Sequence, residues 1–197
     1  MSSDRNIVLA STSPRRKALL EQVGLTFSTA SIDIDESVQQ HESPVAYVLR
    51  LARAKALAAV PHFSAQTILI AADTTVTIDN HILGKPLDRE DAFAMWQKLS
   101  GRVHQVITGV AVAQAGRIVT CSVSTDVEFS PLSAAQMQEY WASGEPLGKA
   151  GGYAIQGRGA AFIPRIHGSY SNVVGLPLVE TLALLDEITA ASQIERT

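Results

Sequence analysis

Two arginines stand side by side where a helix is about to begin. In LASTSPRRKALLEQVGL (residues 9–25) an apolar run stops, hydroxyl residues and a proline follow, and Arg15 and Arg16 open a helical pattern. The helix macrodipole already makes an N-terminus positive and favours acids there, so a basic pair suggests an anion as partner. Ser11, Thr12 and Ser13, with the free N–H groups of a first turn, would converge on one point, and phosphate binds helix N-termini in this way. Guanidinium adds forked donors matched to phosphate oxygens. The segment is no Walker loop, because the glycines and the Gly-Lys-Ser/Thr ending are absent. Taken alone, the pair also reads as a solvated first turn.

Asp73 breaks a different pattern. It interrupts ILIAADTTV, where a strand with a buried beginning suddenly carries a carboxylate. A strand-end Asp can satisfy nearby backbone, or it can orient water or bind Mg²⁺ at the strand end where α/β sheets place ligands. Glu36, with Asp33 and Asp35, lies in an acidic loop, DIDES (33–37). Such charge is ordinary surface unless phosphate is near, since Mg²⁺ sites there use one or two carboxylates plus phosphate oxygens and water. Lys55 falls among alanines and Lys85 sits in LGKPL; each alone reads as solvated, but with Arg16 they would neutralise a polyphosphate. Lys149 is a weaker member of that set.

Gln156 sits in GYAIQG, between glycines that let backbone approach a ligand closely. Its amide offers a donor and an acceptor, which complements an imide edge such as N3–H beside O4 of uracil or thymine. Bracing of the loop is the other role open to it. The five His residues show no zinc-type spacing, and no G-x-S-x-G nucleophile signature occurs. The single Cys121 excludes an internal disulfide and reads as an inert strand thiol.

These residues need elements to carry them. NIVLA (6–10) reads as a buried strand, after which Ser13 caps a helix, Pro14 takes its first position and Gly24 closes it; Ala18, Leu19, Leu20 and Val23 form its inward stripe. TFSTAS (26–31) is a further strand. Ser43 and Pro44 open a second helix, with Val45, Val48, Leu49, Ala52 and Ala56 at helical spacing. TILIAADTTVTID (67–79) is an interior strand with Asp79-Asn80 as turn, and residues 87–101 form a helix between Asp88 and Gly101. HQVITGVAVAQ and RIVTCSVSTDVEF flank an Ala-Gly turn as a long hairpin. Ser133 opens a helix through Trp141, stopped by Gly144. A glycine-dense loop (148–160), a strand AFIPRI and a last helix after Pro177 follow. Strands and helices interleave with at least one hairpin, which predicts an α/β fold on a mixed sheet in one domain spanning residues 1–197.

Composition narrows the function. With 46% hydrophobic and 18% charged residues the chain is an ordinary globule, and a net charge of −3 argues against nucleic acid held on a broad basic face. No run reaches the ~18 apolar residues of a membrane span. The opening MSSDRNIVLA carries no signal-peptide core, so a cytoplasmic address is expected.

LASTSPRR (9–16), RLARAKA (50–56), AADTTV (71–76), GKPL (84–87), KLSGRVHQVITGV (98–110), KAGGYAIQG (149–157) and GSYSNVVGLPLVET (168–181) resemble, in content and order, the motifs of Maf proteins. That family comprises nucleoside triphosphate pyrophosphatases. The resemblance implies cleavage between the α and β phosphates with a divalent cation, Mg²⁺ or Mn²⁺. It also implies an elongated mixed sheet flanked by helices, with two lobes around a cleft, related to inosine triphosphatases. Asp73 matches the family's proton-accepting aspartate, while Arg16, Glu36, Lys55 and Lys85 match charged positions lining its cleft. Arg15, Thr74 and Gln156 match three positions marking the branch that acts on dTTP and UTP. The branch preferring 7-methyl-GTP has an aromatic, Gln and Glu there. Ala71, Thr75 and Ala154 depart from the common pattern, and Ala154 bears on the base pocket, leaving modified pyrimidine nucleotides open as further substrates.

The residue reading and the resemblance together predict Asp73, Lys55 and Lys85 in catalysis, and Glu36 with Asp73 at the metal. They predict Ser11, Ser13, Arg15, Arg16, Thr74 and Gln156 on the substrate. A homodimer is expected from the resemblance alone. The competing expectation is a nucleotide-binding regulator, since the family has been linked to inhibition of septum formation.

Overall fold

The computed structural model describes residues 6–194. The opening residues 1–5, where the absence of a signal-peptide core is read, and residues 195–197 lie outside the described residues. The elements run β1 (Ile7–Leu9), α1 (Pro14–Gln22), β2 (Ser28–Thr29), α2 (Pro44–Ala59), β3 (Ile68–Ile78), β4 (His81–Leu83) and α3 (Arg89–Leu99). Then come β5 (Val103–Gln114), β6 (Arg117–Glu128), α4 (Ala134–Ala142), β7 (Arg165–His167), α5 (Tyr170–Val174) and α6 (Leu178–Ile194).

Local chemistry explains the boundaries. Ser13 Oγ accepts from Arg16 N–H at 3.5 Å and Ser43 Oγ from Ala46 N–H at 3.2 Å, each just ahead of a proline that begins its helix. Asp79 and Asn80 both have positive φ, as do Ala115 and Gly116, so β3–β4 and β5–β6 close through tight turns whose twist suits a hairpin.

Among the described residues seven strands form one sheet in the order β2-β1-β3-β5-β6-β7, with β4 also on β3. Pairing is parallel from β2 through β1 to β3 and antiparallel elsewhere, a mixed sheet as expected. β3 is the axis of the molecule. Its first half, Ile68, Ile70 and Ala72, packs with Leu19, Leu20, Leu185 and Ile188 of α1 and α6. Its far end, Val76 and Ile78, belongs to a second core with Trp96, Leu99, Phe129 and Tyr140. Asp73 and Thr74 fall between these two cores, on the strand that joins them. On the other face α2 lies on β3 and β5 through Ala52, Ala56 and Ala59. The approach is close: a Cβ on Gly109 would meet the Val48 carbonyl oxygen at 2.4 Å. Gly109 is paired directly with Asp73.

Several expectations are corrected. Ala18 and Val23 are exposed, because α1 rests on the sheet through Leu19 and Leu20 alone. Val45 is likewise exposed on α2, where Leu51 and Ala59 complete the buried stripe. The TFSTAS strand shrinks to Ser28–Thr29, an edge pairing with β1 only. Ala161 and Phe162 lie in a 3₁₀ turn (Arg158–Phe162) and not in a strand; only Arg165–His167 pairs with β6. β4 and α5 lie in segments not read as elements. Cys121 is half-buried on β6, and burial with the nearby Glu180 pushes its thiol up to about 11, in keeping with an inert group. No described helix is long and apolar enough to cross a membrane.

Candidate active site

A cleft of about 680 Å³ opens beside the middle of β3. Its walls are the loop and first turn of α1, the acidic loop before α2, β4 with Gly84 and Lys85, and the glycine-dense loop through Gln156. Every residue singled out from the sequence as catalytic, metal-binding or substrate-binding lines it. Ser11, Ser13, Arg15 and Arg16 come from one end, Glu36, Lys55 and Asp73 from the floor, and Lys85, Thr74 and Gln156 from the remaining sides. Thr12 and Lys149 line it as well, whereas Asp33 and Asp35 do not. Asp35 instead accepts from Ser37 N–H at 2.9 Å and shapes its own loop.

Lys55 ties the floor together. Its ammonium donates to Asp73 Oδ1 at 2.6 Å and lies 2.7 Å from Glu36 Oε1. Lys85 approaches the other oxygen of Glu36 at 3.2 Å. Burial acts to raise the Glu36 carboxyl, but the hydrogen bonds and charges of Lys55 and Lys85 outweigh it and hold the group below its ordinary value. Among the described residues Asp73 Oδ2 has no hydrogen-bond partner, which leaves an acceptor facing other chemistry.

The arginine corner is built across the chain. Arg16 donates through Nε to the Gly175 carbonyl at 2.8 Å, through one terminal nitrogen to Thr74 Oγ1 at 3.1 Å, and through the other to Ser11 Oγ at 3.4 Å. Thr74 Oγ1 also lies 2.9 Å from Thr108 Oγ1, which donates to the Asn172 carbonyl. Arg15 Nε donates to the Val174 carbonyl at 3.4 Å. Burial lowers the Arg15 and Arg16 guanidinium groups from their ordinary value. Asp73 partly offsets this at Arg16, while Arg15 beside it adds to it. Lys149 is lowered by burial and then by Arg15. Mutually repelling, partly desolvated cations are what an anion in the cleft would relieve.

Gln156 stands at the exposed edge of the glycine loop and, among the described residues, its amide makes no hydrogen bond. Both donor and acceptor therefore remain available to a ligand.

The sequence reading missed the braces. Tyr47 donates to the Glu36 carbonyl at 2.9 Å, and Arg50 grips both oxygens of Glu42 at 2.6 and 2.7 Å while donating to the Ser37 carbonyl. Together they fix the acidic loop against α2. Tyr47, Arg50 and Glu42 fall at spacings of three and eight residues, a signal visible only once the loop is known to fold back on the helix. Burial and the charges of Asp73 and Glu36 push the Tyr47 phenol up to about 12, so it stays a donor.

Comparison with known proteins places the chain among relatives. The dTTP/UTP pyrophosphatase of Acinetobacter baylyi is 56% identical over 182 residues, 92% of this chain and 99% of that protein. The dTTP/UTP pyrophosphatase of Escherichia coli O157:H7 is 49% identical over 185 residues, 94% of each chain. Among solved structures, the Ham1 protein of Staphylococcus aureus superposes with a TM-score of 0.47 at 14% identity, over 64% of this chain and 72% of that one. The model of the family described as Maf-like protein matches residues 6–188, and on that match the chain belongs to the Maf family.

Proposed function

We propose that this chain hydrolyses dTTP and UTP to the nucleoside monophosphate and pyrophosphate, with the cleft beside β3 as its active site. The observation that carries the reading is the meeting of Asp73, Lys55 and Glu36 on one floor, flanked by Arg16 and Lys85, in a cleft that an uncommitted glutamine amide also lines. Relatives about half identical along nearly the whole chain carry the same activity in their names.

In this reading the triphosphate tail lies against Arg15, Arg16, Lys149 and the hydroxyls of Ser11 and Ser13. Water adds to phosphorus of the α–β anhydride as the bridging bond breaks, and Asp73 Oδ2 accepts the water's proton. Lys55 holds Oδ1 so that Oδ2 faces the cleft. Arg16, Lys55 and Lys85 offset the charge that gathers on the departing pyrophosphate. Such transfer depends mainly on positioning and electrostatic stabilisation. Gln156 meets the imide edge of the pyrimidine, accepting from N3–H and donating to O4; cytosine, lacking that N–H, mismatches it.

Among the described residues no group of three or more His, Cys, Asp and Glu side chains is arranged to hold a metal ion. Two carboxylates that share one ammonium fit the donor set Mg²⁺ takes when phosphate oxygens and water complete its shell. Glu36 and Asp73 would hold it. When bound, such a cation offsets phosphate charge and polarises phosphoryl oxygens.

The test is a panel of separate nucleoside triphosphates with Mg²⁺ or Mn²⁺, following monophosphate and pyrophosphate. UTP and dTTP should be turned over in preference to CTP and GTP. Binding without turnover of any of them would overturn the reading in favour of a regulator, and turnover of CTP equal to that of UTP would overturn the role of Gln156.

A further inference from the structure

The loop that carries Gln156 is fastened on both sides to the same pair of side chains. Tyr140, near the end of α4, accepts from Ala154 N–H at 3.2 Å and donates to Glu145 Oε1 at 2.7 Å. Glu145 Oε1 also accepts from Gly159 N–H at 3.0 Å, and its Oε2 from Arg158 N–H at 2.8 Å. Only Ile155, Gln156 and Gly157 lie between these fixed points. Ile155 packs against the core of α1 and α6, so its neighbour has little room to wander.

The clamp itself is rigid. Tyr140 is 3% exposed and its ring packs against Trp96 and Phe162. Trp96 in turn donates to the Gly152 carbonyl at 3.1 Å, tying down the start of the loop. Glu145 follows Gly144, whose positive φ ends α4 and turns the carboxylate toward the loop. Burial acts to raise the Glu145 carboxyl, but the bonds from Tyr140 and the two N–H groups prevail and hold it below its ordinary value. The loop is fitted to that carboxylate at van der Waals range. A Cβ on Gly157 would meet Glu145 Oε2 at 2.3 Å, and one on Gly159 would meet the Tyr140 hydroxyl at 2.7 Å. Gly157 is extended, so a side chain is excluded there by the carboxylate and not by its backbone angles.

We propose that Glu145, through Tyr140 and the backbone on either side of Gln156, is the positioning residue that sets base selectivity. Its side chain touches no substrate and acts by holding the amide of Gln156 in register with the pyrimidine edge. Its main-chain carbonyl also accepts from Lys149, a contact available in every variant tested, and Gly157→Ala leaves the Glu145 charge beside Lys149 in place. The inference rests on Gln156 as the base reader.

The experiment compares Glu145→Gln, Gly157→Ala and Gln156→Ala in the full chain. It measures kcat/KM for UTP and for CTP, and inhibition by inorganic pyrophosphate, a probe confined to the cationic half of the cleft. A misplaced contact costs about tenfold to a hundredfold, so Glu145→Gln and Gly157→Ala should each cut the UTP-over-CTP preference by at least about tenfold, mainly through KM for UTP. Pyrophosphate inhibition should stay within about twofold of the parent, which a general loosening of the fold would not allow. If Gln156→Ala abolishes the preference while both Glu145→Gln and Gly157→Ala keep it, the clamp is wrong and base reading survives. If Gln156→Ala keeps the preference, base reading fails and the clamp's function fails with it. Weakened pyrophosphate inhibition in both Glu145→Gln and Gly157→Ala would also overturn the proposal, because the effect would then belong to the whole cleft.

Discussion

The Lys55 ammonium sits 2.6 Å from Asp73 Oδ1, with only 10% and 11% of the two side chains exposed. A buried ion pair is a weak source of stability, because desolvation offsets most of the attraction between the charges. Its place between two cores, beside a cleft rich in cations, supports the proposal that the pair is kept for chemistry at some cost to the fold. From this pair follow the roles assigned to the rest of the site.

Asp73→Asn separates chemistry from structure. The amide oxygen still accepts from Lys55, but the group no longer takes a proton from water. Turnover of UTP should fall about 10²–10⁴-fold, the usual weight of a general base, while KM changes little. Steady-state kinetics with a thermal melt on the same protein checks this, and a loss under about tenfold would remove Asp73 from the reaction.

Arg16 spends its fork on three acceptors from three parts of the chain, Ser11, Thr74 and Gly175. Lysine keeps the charge and cannot reproduce the fork. Arg16→Lys should lower kcat/KM for UTP by about tenfold to a hundredfold, the loss of one or two charged hydrogen bonds. Parent-like kinetics in the Lys variant would reduce Arg16 to a point charge.

Gly109→Ala probes how the floor is assembled. The new methyl would fall 2.4 Å from the Val48 carbonyl oxygen, backbone that has no rotamer to escape into. α2 must lift from the sheet beside Asp73, at a cost of about 1–3 kcal/mol in stability, and Lys55 moves with it. Urea denaturation and kcat should fall together; a variant as stable as the parent would show that the helix does not seat there.

His104 supplies a pH signature of folding. It is 2% exposed, its Nε2 lies 2.7 Å from the Tyr153 hydroxyl, and burial pushes its pKa down to about 4. The unfolded chain, with an ordinary value of about 6.5, binds the proton more readily, so stability is complete above that pH and is lost as pH falls toward 4. The contribution is on the order of 3 kcal/mol. Unfolding free energies from pH 7 to 4 for the parent and His104→Gln should diverge by that amount; parallel curves would mean that His104 takes up its proton as readily in the folded protein as in the unfolded chain.

How legible these features were depends on how local their physics is. The Ser-Pro helix starts and the Asp79-Asn80 and Ala115-Gly116 turns were readable, because a cap or a positive φ is decided by adjacent residues. Ala18 and Val23 fit the helical period yet face solvent, since a helix of nine residues at the sheet's end buries only what the sheet reaches. Ala161 and Phe162 have strand-like composition, but the Glu145 clamp winds the segment leading to them into a 3₁₀ turn. Asp73 and Arg16 were visible as misfits in their local patterns. That they share a cleft was not, because the joins run from Arg16 to Gly175, 159 residues apart, and from Lys85 to Glu36, 49 apart. Only motifs recurring in a known order bridged that distance. The braces on Glu36 and Gln156 had no such signal and needed the folded chain.

Phosphorus NMR of UTP incubated with the protein and Mg²⁺ tests the central claim most directly, because it identifies the bond that breaks. UMP and pyrophosphate should appear in equal amounts with no UDP, and the spectrum should stay that of UTP when Asp73→Asn is used on the same timescale. UDP with orthophosphate, or equal rates from the parent and the variant, would contradict the account.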